Sequence, residues 1–193
     1  MKKGNYISTI LRSQQTVFSV NDIMLLWGEP NSDAVRVRIN YYTKKGDLYR
    51  IRRGFYAKDK NYDKLELATK IFTPSYVSFE TVLNRSGVSF QYYEKIFIAS
   101  YTSREIIADG QTYSYHKIKD TVLTSHPGIE KKGNYFMASP ERAFLDTVYL
   151  NTDYHFDNLS ILNWNKVFDI IDIYGTNKRM KKAVMEYYKD AKN

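Results

Sequence analysis

An α+β fold in two parts is predicted by three observations in this 193-residue sequence. Positive charge is crowded into the first sixty residues; within them, segments of helical spacing run straight into a β-rich basic segment; and the remainder alternates aromatic and β-branched stretches with capped helices. Residues 1–60 hold 12 Lys and Arg against 5 Asp and Glu, a net of +7, whereas residues 61–193 hold 17 against 16, a net of +1. The total of +8 is therefore a local field. A compact basic module on an almost neutral body is the electrostatic footprint of a nucleic-acid-binding head with something else attached. The charge break divides the chain into a small N-terminal domain, 1–60, and a larger one, 61–193.

A hydrophobic content of 43% with 16% aromatic residues excludes a mainly disordered chain. The absence of cysteine excludes disulfides and cysteine-based zinc sites, and fits a reducing compartment. Met1-Lys2-Lys3 is followed by a stretch broken by Asn5, Ser8, Thr9, Arg12 and Ser13, so no signal-peptide core is present. No apolar run approaches the roughly 20 residues that a membrane span needs. A soluble cytoplasmic protein without membrane contact is expected.

In the basic part, Ile7, Ile10 and Leu11 recur at helical spacing and predict a first helix within 5–14. Ser19 is a candidate N-cap with Asp22 as its reciprocal group, opening a second helix that buries Ile23, Leu26 and Trp27 and stops at Gly28. Glu29-Pro30-Asn31 cannot continue it. Ser32 then caps a third helix that runs to Lys45 and ends at Gly46. Two helices joined by a short glycine-containing turn make a helix-turn-helix.

Placing residues 100° apart on the third helix puts Val35, Ile39 and Tyr42 on one side and Asp33, Arg36, Val37, Asn40 and Lys44 on the other. Arg36 and Asn40 have the geometry to read guanine and adenine edges, and Val37 suits a thymine methyl. Arg38, Lys44 and Lys45 are placed for phosphates. A solvated face carries the same residue types, and the next segment favours DNA. Leu48 to Lys58 alternates β-formers around Arg52-Arg53-Gly54, which predicts a hairpin with a basic tip, a wing beside a recognition helix. Arg52 and Arg53 would engage backbone or a narrow minor groove.

Beyond residue 60, Leu65–Phe72 and a segment capped at Ser78 and ending near Gly87 predict helices. Stretches 95–101, 113–119 and 134–138 are β-rich, with turn signals at Asp109-Gly110, His126-Pro127-Gly128 and Lys132-Gly133. A small antiparallel sheet with flanking helices is the simplest packing. Ser139 with Pro140 opens a helix whose stripe is Phe144, Leu145 and Val148, so capping physics accounts for that motif without a catalytic role for Glu141 or Asp146. Leu159–Tyr174 has helical spacing. Asn177–Lys192 forms a basic helix burying Met180, Val184 and Tyr187, either a solvated face or an auxiliary phosphate or protomer contact. The many tyrosines are read as half-buried packing groups rather than as RNA-stacking platforms.

His116, His126 and His155 are scattered, so no metal site is expected, and no nucleotide loop or nucleophile elbow appears. No enzyme activity and no cofactor are expected. A nuclease with a DNA-targeting head is a rival, with Asp109 and Asp120 near β-stretches, but neither is followed by the acid-x-Lys pairing of the common metal-dependent type.

Gly46-Asp47-Leu48-Tyr49-Arg50-Ile51-Arg52-Arg53-Gly54-Phe55-Tyr56-Ala57 resembles the wing signature of the AbiEi family, the antitoxin and regulator half of bacterial type IV toxin–antitoxin systems. Tyr76-Val77-Ser78-Phe79-Glu80-Thr81-Val82-Leu83 is similar to the helix opening of the family's second domain, and Ala138-Ser139-Pro140-Glu141-Arg142-Ala143-Phe144-Leu145-Asp146 resembles its Ser-Pro-Glu-(Lys/Arg)-Ala helix start. In order and spacing the resemblance covers roughly residues 5–150 and leaves the last stretch outside. It implies a transcriptional repressor of its own operon. Its ligand would be double-stranded operator DNA, and its functional partner a nucleotidyltransferase toxin, with neutralisation that need not involve a stable complex. Binding to inverted repeats by two copies would match protein and operator symmetry, although no dimer interface is legible. A winged-helix regulator whose second domain senses a ligand or partner, without a toxin, is the other reading.

Overall fold

The structure, a computed structural model, describes residues 6–192 and is mixed α+β, with nine α-helices and two sheets among those residues. Asn5, with which the first predicted helix begins, and the charged Lys2 and Lys3 lie outside the described residues.

The chain opens with α1 (Tyr6–Arg12), β1 (Val17–Ser19), α2 (Val20–Trp27) and α3 (Ser32–Lys45). Ser19 and Asp22 form the expected capping box on α2, and Gly28 closes that helix at φ 62°, a left-handed conformation that costs glycine nothing. The cap of α3 is Asn31, not Ser32: the Asn31 side chain accepts from the backbone N–H groups of Asp33 and Ala34, and Ser32 is already helical. The amide oxygen of asparagine reaches the second and third helical N–H groups as well as a serine hydroxyl does, so adjacent cap formers are indistinguishable by type.

β2 (Tyr49–Arg52) and β3 (Phe55–Ala57) form the expected hairpin, and β1 joins it to give a three-stranded sheet of order β1-β3-β2. Its two faces part company. Phe18 and Tyr56, paired across β1 and β3, face a core with Ile10, Ile23, Trp27, Val35 and Ile39. Val17, Ala57 and Ile51 face the other way, into a cluster with Tyr62, Leu67, Ala68, Ile98, Tyr113 and Tyr115. The second face is therefore buried against the rest of the chain.

That remainder is built from α4 (Lys64–Ile71), β4 (Ser75–Val77), α5 (Glu80–Ser86), β5 (Ile96–Ser100), β6 (Arg104–Ala108), β7 (Gln111–Lys117), α6 (Asp120–Leu123), β8 (Ile129–Lys132), β9 (Tyr135–Ala138), α7 (Pro140–Leu150), α8 (Trp164–Ile170), a 3-10 turn (Ile171–Tyr174) and α9 (Lys178–Asp190). The sheet corrects the small antiparallel expectation. It has six strands in the order β6-β7-β5-β4-β9-β8 and is mixed, because β5 pairs parallel to β7 and β4 parallel to β9. β4 is three residues long and β8 reads Ile-Glu-Lys-Lys, so neither carries the alternation that marks a strand locally.

Two further expectations change. Ser78 does not cap α5; the N-cap is Phe79 at φ 54°, while the Ser78 hydroxyl donates to Asp146 at 2.7 Å. Residues 159–163 are not helical, because Asn163 caps α8 and its own N–H reaches the Glu141 carboxylate. Pro140 opens α7 behind a Ser139 cap as expected, and Phe144, Leu145 and Val148 are fully buried in the main core with Val82, Leu83, Val167 and Val184.

Candidate nucleic-acid interface

α3 presents its faces as the spacing predicts. Val35 and Ile39 are fully buried, Tyr42 is half-buried, and Asp33, Arg36, Val37, Asn40 and Lys44 are exposed. Val37 is 68% exposed. Tyr41, 60% exposed and next to Asn40, belongs to the same outward surface, which the spacing of Val35, Ile39 and Tyr42 does not single out.

The hairpin tip lies beside this helix. Arg36 of α3 and Arg53-Gly54 of the tip line one open cleft of about 420 Å³, closed on its third side by Ser19, Val20 and Asn21 at the start of α2. Gly54 holds φ 87° at the turn, which is what lets β2 reverse into β3 within two residues. Sequence spacing says nothing about the α2 side of this cleft. Asn21 sits next to a recognised cap and would have to be noticed for its exposure alone.

The other cations are not equally free. The Arg38 guanidinium donates to Glu29 at 2.8 Å and lies 4.6 Å from the Tyr6 ring centroid, so part of its bonding is spent tying α3 to the α2–α3 turn and to α1. Its partner's hydrogen bond holds the Glu29 carboxyl below its ordinary pKa. Lys45 pairs with Asp47 at 3.0 Å, and that hydrogen bond raises its own pKa. Lys44 and Arg53 are exposed and make no ion pair among the described residues. Arg52 is half-buried with its Nη1 enclosed. Arg50 is exposed and paired across the hairpin with Tyr56, a further cation beside those that residue type and spacing point to.

This basic surface is held in a fixed relation to the rest of the chain. The buried carboxylate of Glu66 on α4 accepts from the Thr16 N–H at 2.9 Å and from its hydroxyl at 2.7 Å, just before β1. Lys70 donates to Asp22 of the α2 capping box at 2.9 Å, and the Tyr49 and Tyr62 hydroxyls donate to Asp109 in the β6–β7 turn. Burial works against the Asp22 charge, yet the Ser19 N–H and Lys70 outweigh it and lower its pKa.

The resemblance segment 138–146 is structural. Arg142 and Asp146 are wholly buried and paired; Tyr76, Ser78 and Tyr174 all donate to Asp146, while Arg142 also donates to the Tyr76 hydroxyl and to the carbonyls of Val122 and Pro127. Burial pushes the Asp146 carboxyl up against the pull of these donors. A sealed carboxylate with all its partners in place has no surface to offer a substrate.

A further open cleft, of about 620 Å³, lies between α4, α5 and the start of β5. Two of its lysines are already engaged, Lys64 with Gln111 and Lys95 with Glu105. Among the described residues no group of three or more His, Asp or Glu side chains could hold a metal ion, and no helix is long and apolar enough to cross a membrane. Comparison with protein-family models finds no match for the chain, and comparison with the curated proteins finds none either.

Proposed function

We propose that the chain is a sequence-specific DNA-binding transcriptional repressor whose first sixty residues act as a winged helix-turn-helix. The observation that carries this reading is the single cleft joining Arg36 on the exposed face of α3 to Arg53 at the hairpin tip. A helix of B-DNA's major-groove width flanked by a basic turn is what simultaneous major-groove and backbone contact requires. In this reading Arg36 and Asn40 read base edges and Val37 meets a thymine methyl. Lys44, Lys45 and Arg53 hold phosphates. Arg38, tied to Glu29, positions α3 before it touches DNA, and Arg52 acts from the base of the tip.

The test is titration of the full chain against duplex DNA from upstream of its own gene at several salt concentrations. Binding that weakens steeply with salt and prefers that duplex over scrambled sequence supports the reading, and a curve indifferent to salt ends it.

The role of antitoxin in a type IV system rests on the three motif resemblances alone. Co-expression with the adjacent reading frame tests it: a neighbouring nucleotidyltransferase whose toxicity is relieved by this chain supports it, and a neighbour without toxicity leaves a plain winged-helix regulator.

A further inference from the structure

We propose that the duplex contact extends beyond the basic head onto the β6–β7 end of the larger sheet, where Arg104 and Lys117 take backbone phosphates next to those met by the hairpin tip. The inference rests on the DNA-binding reading above and adds a second contact surface to it.

Strand register places these residues. β6 and β7 are antiparallel, with Arg104 opposite Tyr115, Ile106 opposite Tyr113 and Ala108 opposite Gln111. Directly opposed residues share a face, and side chains alternate along a strand. Tyr113, Tyr115 and Ala108 belong to the cluster shared with the hairpin, and Ile106 packs against it, so this is the face that the head covers. Arg104, and Lys117 two residues past Tyr115, project from that same face, and both are exposed.

The hairpin has a known direction across this face. Its opening residue Tyr49 is anchored at 2.7 Å to Asp109, in the turn at the far end of β6 and β7. Ile51 lies in the shared cluster with Tyr113 and Tyr115, and Arg52 follows it toward the tip. The tip therefore points along the sheet toward the row that holds Tyr115 and Arg104. Arg52 and Arg53 follow Ile51 toward the tip, and Arg104 stands opposite Tyr115 with Lys117 two residues further along.

No carboxylate among the described residues lies within ion-pair distance of any of these four cations. Glu105 is on the opposite face, paired with Lys95 at 2.6 Å, and Asp109 is spent on Tyr49 and Tyr62. Like charges gathered without counter-charge repel, and a rigid polyanion running across them relieves the repulsion. The ties of Glu66 to Thr16 and Lys70 to Asp22 hold the basic head in a fixed relation to α4 and the sheet it packs on.

The experiment measures fluorescence anisotropy of a labelled 40-base-pair duplex against salt, using the full chain and the variants Arg53→Ala, Arg104→Ala/Lys117→Ala and Lys95→Ala, each checked for an unchanged circular-dichroism melt. The slope of log affinity against log salt falls by about 0.9 per lost phosphate contact. The expected result is a loss of about one from Arg53→Ala, nearly two from the double variant, and none from Lys95→Ala on the opposite face. Loss in Arg53→Ala with the double variant unchanged confines the contact to the head and overturns this inference alone. No salt-dependent binding by the parent chain overturns the DNA-binding reading itself.

Discussion

Replacing Arg142 by methionine should destabilise the fold by about 4 kcal/mol, roughly the middle of the range for removing one partner of a buried ion pair. The side chain has no exposed surface, and methionine fills most of its volume, so cavity formation contributes little. What disappears is the set of donors. Asp146 loses its cationic partner while remaining sealed beneath Tyr76, Ser78 and Tyr174. The carbonyls of Val122 and Pro127 lose their guanidinium bonds, at about 1–3 kcal/mol each if left dry. The chain at 122–127 can open toward water and recover part of that, which is why the sum is not taken at face value. Urea unfolding followed by fluorescence and circular dichroism reads the effect; with a slope of about 2 kcal/mol per M, the midpoint should fall by about 2 M. A fall under about 0.5 M at unchanged slope would refute the argument that this pair holds α7 to the sheet. The double variant Arg142→Met/Asp146→Leu should recover part of the loss but not all, because three hydroxyls then lack their acceptor.

Gly128→Ala should also be costly, because Gly128 has φ 75° and an added Cβ would stand 2.7 Å from Arg142 Cβ and 2.9 Å from Ile170 Cδ1; a thermal melt indistinguishable from the parent would contradict this packing. Burial beside Phe79 and Phe97 lowers the pKa of His116, so below about pH 6.5 the unfolded chain binds more protons than the folded one, and this contribution to stability, complete above that pH, is lost as pH falls through the folded pKa. His116→Gln should flatten the decline in urea midpoint between pH 7 and 5, and parallel profiles for parent and variant would remove His116 as its source. Arg36→Ala should cost about 1–3 kcal/mol of DNA affinity and relax preference at one base pair, whereas Lys44→Ala should weaken all duplexes alike and lower the salt slope by about one. Unchanged discrimination by Arg36→Ala between operator and scrambled DNA would take away its base-reading role.

Local rules carried much of this reading because they act over three or four residues. Ser19 with Asp22, Gly28, Gly46, Ser139 with Pro140, and the Arg53-Gly54 turn are legible from residue type and spacing, since each satisfies backbone groups within its own turn. The exposed face of α3 follows from a 100° period and two buried aliphatics. The same rules misplace a cap where two cap formers adjoin, as at Asn31 and Ser32, and where a serine has a better partner far away, as Ser78 has in Asp146.

The amino-acid order by itself determined the helix boundaries at Ser19, Gly28, Gly46 and Ser139, where the positive charge lies, and which side of α3 faces water. Only the tertiary structure decided that β5 and β7 run parallel, that Arg142 and Asp146 are sealed inside, that Arg38 is bound to Glu29, and that the hairpin is laid on a second sheet. The reason is physical. Caps and periodicity are settled by neighbours along the chain, whereas strand order and the fate of a charged side chain depend on which distant surface arrives to cover it.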